Sequence, residues 1–294
     1  MDIVQVFEEF PTQESCIKHL EKVRWGDMVH CPYCASIKTA PHRKRWRCYD
    51  CKTSFSVTVG TIFHHTHLPL QKWFLAINLI LNAKKGISAL QLSRDLHVNK
   101  NTAWRISIQI RKAMTQAGQR ELLTGVVEMD ETYVGGKPRK GNHRKDDDNK
   151  PNKRGRGTDK TPVVGAVERG GNITAKAMNK ESMKGRHMRA FVRERIKTHE
   201  PELITDEYRG YMGMEKVLPH RVIKHDEWYV DGDVHTNIIE GFWALLKRGM
   251  FGSFHSVSRK HLQRYVDEFC YRYNLREHAP HYAFNLNITR GLWV

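Results

Sequence analysis

The chain has 294 residues, and 49 Lys+Arg against 32 Asp+Glu leave a formal charge of +17, with a pI near 9.7. That length predicts two or three units rather than one small module. A content of 39% hydrophobic and 10% aromatic residues supports a packed core and excludes a disordered basic tail. The apolar run at 73–81 is interrupted by Asn78 and falls far short of a bilayer span. The acidic-apolar start MDIVQVFEEF lacks the basic n-region of a signal peptide. A cytoplasmic chain with no membrane partner is expected. A charge this large points to a polyanionic partner, nucleic acid first.

Taken in chain order, Ile17, Leu20, Val23 and Trp25 form a helical pattern within 1–25. Two CxxC pairs follow, Cys31 with Cys34 and Cys48 with Cys51, with thirteen residues between them. The spacing is slightly tight for a double-CxxC site. It still suits two knuckles at the tips of two short hairpins, whose four thiolates close a tetrahedron around a structural Zn²⁺. Without a secretion signal a disulfide is not expected, and a redox centre needs one CxxC rather than two. Cys16 and Cys270 read as ordinary semi-buried cysteines. Between the knuckles, Arg43, Lys44, Arg45, Trp46 and Arg47 interleave basic side chains with an aromatic, a pattern that suits a phosphate backbone. The ribbon is expected over 26–60, ending in the strand-like SFSVTVGTIF. His64, His65 and His67 read as a basic turn rather than a metal site, because adjacent histidines do not share a helical face.

Leu70, Trp73, Phe74, Ile77 and Leu81 then recur at helical spacing up to Gly86. Ser88 is placed to cap a short helix, the HVNKN turn follows, and a further helix runs from Asn101 and Thr102 to Met114. Helix, short helix, turn, helix is the layout of a helix-turn-helix. Lys100, Trp104, Arg105, Gln109, Arg111 and Lys112 lie on its last helix, the candidate recognition helix for DNA.

After residue 120 the pattern becomes β-rich. TGVVEMDETYVGG is a strand, and TPVVGAVERGGNITAKAM is a hairpin turning at Gly170 and Gly171. Between them, 137–160 carries ten Lys+Arg without periodicity and reads as a mobile basic loop insertion. A helix, a short strand at ELITDEYRGY, a strand at HRVIKH and two closing helices near 236–250 and 258–276 complete an α/β layer fold. Three divisions are expected: 1–62 for the first helix and zinc ribbon, 63–120 for the helix-turn-helix, and 121–294 for the α/β part.

In so basic a chain the placement of carboxylates is informative. Asp130 stands mid-strand among Val126, Val127, Met129 and Val134, where a carboxylate is costly unless paired or metal-bound. Its neighbour Glu131 must face the other side of the sheet, where a structural ion pair with a basic residue is expected. Asp206 ends a strand, a position where α/β sheets place their sites. Glu240 lies on an amphipathic helix, with Lys247 seven residues later and Asn237 three earlier on the same face.

An Asp in a first strand, an Asp at the end of a later one, a Glu thirty-four residues on in a helix and a Lys seven beyond it resemble the DDE transposases. These share a ribonuclease-H-like fold with retroviral integrases. MDETYVGG, TDEYRGY, HTNIIEGFWALLKRG and HLQRYVDEFCYRYNLR are similar to the bacterial insertion-sequence transposases of the zinc-ribbon-bearing ISXO type, and CPYC…WRCYDC, TSFSVTVGTIF and the three-helix stretch extend the likeness over nearly the whole chain. The resemblance implies that Asp130, Asp206 and Glu240 hold two Mg²⁺ (or Mn²⁺) ions for hydrolysis and strand transfer. It implies that Lys247, with Arg248 beside it, contacts phosphate, and that His235 and Asn237 orient Glu240 or the DNA. Some members use Asn as the third ligand, so Asn237 stands as an alternative to Glu240. The implied partners are double-stranded DNA, as terminal inverted repeats and as target, and a second protomer in a nucleoid-associated complex. A DNA-binding regulator without catalysis and a nuclease without strand transfer are the competing readings. Tyr133, Tyr208 and Tyr211 are cleft or core candidates, Trp243 reads as core, and His225 with Asp226 as a possible addition to the cleft.

Overall fold

The computed structural model describes residues 1–115, 122–135, 158, 160–197, 201–223 and 232–293. The basic insertion expected over 137–160, residues 158 and 160 apart, and the His225–Asp226 pair lie outside the described residues. By its contacts the chain forms two compact units, Met1–Thr115 with Glu277–Val294, and Gln116–Arg276. The ribbon and the following helices thus group together, and the chain's last helix groups with them rather than with 121–276. Among the described residues no helix is long and apolar enough to cross a membrane.

In the first unit the helical stretch expected over 1–25 is two helices, α1 (Ile3–Glu9) and α2 (Gln13–Trp25). Pro11 cannot continue α1, and Thr12 caps α2 by accepting from the Ser15 amide at 3.1 Å. The ribbon is a three-stranded antiparallel sheet of β1 (Thr39–His42), β2 (Arg45–Cys48) and β3 (Ser54–Phe55). SFSVTVGTIF is a strand only at its first two residues. Beyond them the Arg24 guanidinium donates to the carbonyls of Val57 at 2.6 Å and Val59 at 2.7 Å, which takes acceptors a strand ladder would need. Then come α3 (Leu70–Asn82), α4 (Ala89–Asp95) and α5 (Lys100–Ala113). Ser88 caps α4 as expected, accepting from the Gln91 amide at 3.1 Å. α3 buries Leu70, Trp73, Phe74 and Ile77, and Phe74 meets Phe10 and Phe284 edge-on. A last helix, Pro280–Gly291, is absent from the sequence reading. It crosses so closely that a Cβ at Gly291 would stand 2.7 Å from Ile62.

The second unit is a five-stranded mixed sheet. Its strands are β4 (Val126–Val134), β5 (Thr161–Glu168), β6 (Ile173–Ala177), β7 (Glu202–Thr205) and β8 (His220–Val222), in the order β6-β5-β4-β7-β8. β4, β5 and β6 pair antiparallel, while β7 and β8 run parallel to β4. Gly170, at φ +73°, turns the β5–β6 hairpin. Alternation along β4 separates two chemistries. Val127 and Met129 enter an apolar core with Met188, Phe191 and Val192 of α6 (Gly185–Arg195). Glu128 and Asp130 face the other way, toward α7 (Asn237–Gly249). α7 runs on into a π turn at Met250–Phe254, and α8 (Arg259–Asn274) packs on β6. A four-cysteine ribbon followed in the chain by a mixed α/β unit, its sheet in the order β6-β5-β4-β7-β8, agrees with the α/β fold class expected.

Candidate active site and metal centre

The ribbon's four thiols converge. Cys31 and Cys51 sulfurs lie 3.7 Å apart, Cys34 and Cys48 sulfurs 3.6 Å apart, and all four fall within 4.8 Å of one another. Tetrahedral Zn²⁺ with Zn–S of about 2.3 Å puts its sulfurs about 3.8 Å apart, so the set fits one zinc ion. The two knuckles repeat one backbone device. Cys31 N–H donates to Ser36 O at 2.9 Å and Cys48 N–H to Thr53 O at 3.0 Å. The residue after each second cysteine, Ala35 or Lys52, is left-handed at φ +58° and +59°. Hydrogen bonds from Thr53 lower the Cys51 thiol to about 6 and local amides lower Cys48, while the neighbouring sulfurs raise Cys34; without a cation the four sulfurs share protons, and a metal would take all four as thiolates. Only the second knuckle joins two strands; the first is a turn outside the sheet.

The ribbon's basic residues divide. Arg43, Lys44, Arg45 and Arg47 are exposed, and Arg43, left-handed at φ +57°, forms the hairpin tip. Trp46 is spent inward: its indole donates to Glu21 at 2.7 Å and meets Trp25 edge-on. The expectation that it faces phosphate is corrected, because the small ribbon needs that ring as core. On α5, Lys100, Trp104 and Arg105 are exposed and Lys112 is half-buried. Arg111 is only 1% exposed. Arg111 is therefore not an open phosphate contact. Among the described residues the four cysteines form the only His/Cys/Asp/Glu set drawn together at metal-ligand spacing; the His64 and His65 rings instead stack at 4.1 Å.

In the second unit, Asp130, Asp206, Glu240 and Lys247 line one cavity of about 460 Å³. Glu131, Thr132, Thr236, Trp243 and Ala244 complete it. The carboxylates come from mid-β4, the end of β7 and the first turns of α7, and each is steadied by a different donor. The Trp243 indole donates to Asp130 at 3.0 Å, the Tyr208 amide to Asp206 at 3.0 Å and the Thr236 hydroxyl to Glu240 at 3.1 Å. Burial, and then the charges of Glu131, Asp206 and Glu240, push Asp130 up to about 7. Hard oxygens of this kind suit a divalent cation, which would relieve that repulsion, although the three are not drawn to metal-ligand spacing as the four cysteines are. Asn237 opens α7, is exposed and is not among the cavity's lining residues. Of the two candidates for third acid, Glu240 is the one in the cleft. Arg248 is exposed beside Lys247. His235 does not orient Glu240 directly; it joins Glu128 and Arg169.

A model of the ISXO2-like transposase domain matches residues 122–274, more than half of the chain, and a transposase zinc-ribbon domain matches 11–54. The chain belongs to the ISXO2-like transposases. A relative in the transposable element ISH50 of Halobacterium salinarum, an uncharacterized protein, is 30% identical over 281 residues, covering 88% of this chain and 90% of its own. Among solved structures, a pre-cleavage Mos1 transpososome matches at TM-score 0.30 and 14% identity over 74% of this chain and 75% of that one. A Mos1 paired-end complex matches at 0.29 and 12%, over 74% and 78%.

Three residues of this transposase's cleft escape sequence reading. Gly165 pairs with Asp130 across β4 and β5, and a Cβ there would stand 2.6 Å from the Trp243 ring. Glycine is what lets that ring lie on the sheet and reach Asp130. Glu128 and Arg169 form the second case: Glu128, two residues before Asp130 and so on its face, is fully buried and pairs with Arg169 at 2.9 Å. Strand parity was the signal for Glu128; nothing local marks the other two. Glu131, expected only on the sheet's other face, takes the Tyr211 hydroxyl at 2.7 Å and is also among the residues lining the cavity of Asp130. Tyr208 and Tyr211 pack in the core beside α6, Tyr133 borders a smaller pocket with Lys247, and Trp243 is 3% exposed.

Proposed function

We propose that the chain binds the terminal inverted repeats of a mobile element, hydrolyses the donor DNA to free 3′ ends, and joins those ends to target DNA. The observation that carries this reading is the meeting of Asp130, Asp206 and Glu240 with Lys247 in one cavity. The three carboxylates would hold two Mg²⁺ ions, or Mn²⁺ in their place, which would activate the attacking oxygen and stabilise the leaving one. The chain's own part is positional. Trp243, the Tyr208 amide and Thr236 hold the three carboxylates in orientation. Lys247, two turns beyond Glu240 on α7, offers a point charge to a phosphate entering the cleft. Both steps are in-line phosphoryl transfers, in which positioning and charge do most of the work.

End recognition falls to the first unit. The exposed hairpin of Arg43, Lys44, Arg45 and Arg47 and the exposed face of Lys100, Trp104 and Arg105 on α5 support it. α4, the four residues after it and α5 have the helix-turn-helix layout, with His97 left-handed at φ +47° in the turn. In this reading the ribbon's zinc ion is structural, since four protein ligands leave no open position. Joining two ends requires at least two protomers. Incubating the purified chain and Mg²⁺ with DNA carrying the element's ends tests the whole reading: nicked donor and joined product are expected. Binding without cleavage would leave only a regulator, and cleavage without joining only a nuclease.

A further inference from the structure

α7 carries Glu240, yet its own cap residue does not cap it. Thr236 makes no side-chain bond to the first-turn amides; its hydroxyl goes to Glu240 instead. The amides of Ile238 and Ile239 donate to Oε2 of Glu128, on β4, at 2.9 and 3.2 Å. The other oxygen, Oε1, takes Arg169 Nε at 2.9 Å and lies 3.2 Å from His235 Nδ1. Arg169 Nη2 then reaches the His235 carbonyl at 3.1 Å, just before the helix. A carboxylate at a helix N-terminus is favoured by charge as well as by hydrogen bonds. One buried carboxylate therefore ties together the strand that bears Asp130, the β5–β6 turn that bears Arg169 and the helix that bears Glu240.

We propose that Glu128 is a positioning residue of the cleft: with Arg169 and His235 it clamps the N-terminus of α7 to β4 and so fixes Glu240 relative to Asp130. The clamp rests on the reading of those two acids as divalent-metal ligands. Glu128 lies one strand repeat below Asp130 on the same face, and Ile239, one of the residues it caps, immediately precedes Glu240. By doing the capping itself, Glu128 leaves Thr236 to Glu240.

The test is Mn²⁺ binding by the full, zinc-loaded chain without DNA, read from the resonance of free Mn²⁺, with melting temperature and amide exchange at Ile238 and Ile239 recorded on the same samples. Wild type should bind Mn²⁺ and Asp130→Asn should lose it. Glu128→Ala should weaken binding about 10–100-fold, the usual range for residues that orient metal ligands, and should speed exchange of the two amides. If Glu128→Ala does not fold, Arg169→Lys carries the test. It keeps a positive partner for Glu128 but loses the fork that also holds the His235 carbonyl, and about a tenfold loss is expected. A folded variant with wild-type Mn²⁺ affinity and unchanged exchange overturns the clamp, even if it melts earlier, and leaves the metal reading standing. If wild type binds no Mn²⁺, or Asp130→Asn binds it normally, the metal reading fails and the clamp falls with it.

Discussion

The ribbon and the cleft are each suited to metal, and they are built in opposite ways. In the ribbon, four cysteines from two short turns draw their sulfurs within 4.8 Å of one another, closing a complete coordination sphere. In the cleft, three acids from three distant elements line a cavity of about 460 Å³, open to whatever enters. A closed sphere stabilises a fold, whereas an open one leaves positions for reacting groups. The ribbon is rigid through its ligands, and the cleft has to be made rigid by other residues. That is why the cleft calls on side chains from several elements, Trp243, Thr236, Gly165 and Glu128, whereas the knuckles are held by local backbone bonds within each turn.

The largest effect should come from breaking the closed site. Cys34→Ser removes one of four ligands, and structural zinc contributes on the order of 10 kcal/mol to such a module. Loss of zinc, unfolding of the ribbon and failure of end binding are expected, by metal content and by gel shift. Mn²⁺ binding in the second unit should survive. If zinc content and end binding are unchanged, the ribbon is not a zinc centre. Next in size, Asp130→Asn should lower donor cleavage at least about 1000-fold, since stabilising charge at a phosphoryl transfer is worth several kcal/mol, while end binding persists. Cleavage that survives would remove Asp130 from the metal site.

The same contrast explains what could be read from sequence. Each knuckle is a local device, four residues with a left-handed residue behind it, so the spacing of Cys31, Cys34, Cys48 and Cys51 was enough to assign it. The carboxylates carry no local spacing; Asp130, Asp206 and Glu240 became legible through family resemblance, and only the fold brings them to one cavity. Arg111 misled for a related reason. Eleven residues after Lys100 it returns to the same helical face, yet it is 1% exposed, and α5 also packs against the helix Pro280–Gly291, which the sequence reading lacks. Trp46 looks like an outward aromatic in the sequence, where nothing says that Glu21 and Trp25 will meet it. Gly165 had no signal at all, because its meaning depends on the register that sets it opposite Asp130.

A smaller effect sharpens the claim that the cleft needs support. Gly165→Ala puts a methyl where the Trp243 ring lies, and the ring must move off the sheet or off Asp130. Overpacking of this kind costs about 1–3 kcal/mol, and a drop in cleavage of about 10–100-fold is expected with end binding intact. Trp243→Phe in the same background separates the causes. If the Trp243–Asp130 hydrogen bond matters, the phenylalanine variant alone should slow cleavage without lowering the melting temperature as far. Equal cleavage in wild type and Trp243→Phe would make the indole a packing group only.

The smallest effect is a matter of sign. Burial and neighbouring charges push Asp130 up to about 7, whereas an unfolded Asp titrates near ~3.9. Between those values the folded chain holds a proton that the unfolded chain has released, so in magnesium-free buffer Asp130 favours folding less as pH rises from about 4 to 7, and its contribution levels off above that. Asp267 on α8, raised by burial to about 6, adds a slope in the same direction. Asp130→Asn should remove the first contribution and keep the second. At pH 7.5 it should therefore melt about 2–4 °C higher than wild type, the shift that about 1 kcal/mol gives in a unit of this size. Added Mg²⁺ should cancel the gain by stabilising wild type alone, because the cation favours the ionised carboxylate. The ribbon should respond in the opposite sense, losing zinc as falling pH protonates its thiolates. His19 and His220, lowered by burial, add an opposite slope to both chains, so the difference between them is what counts: an Asp130→Asn gain that stays constant from pH 4 to 7 in metal-free buffer would mean that Asp130 is not held among competing charges, and the contrast between the two sites would fail at its electrostatic root.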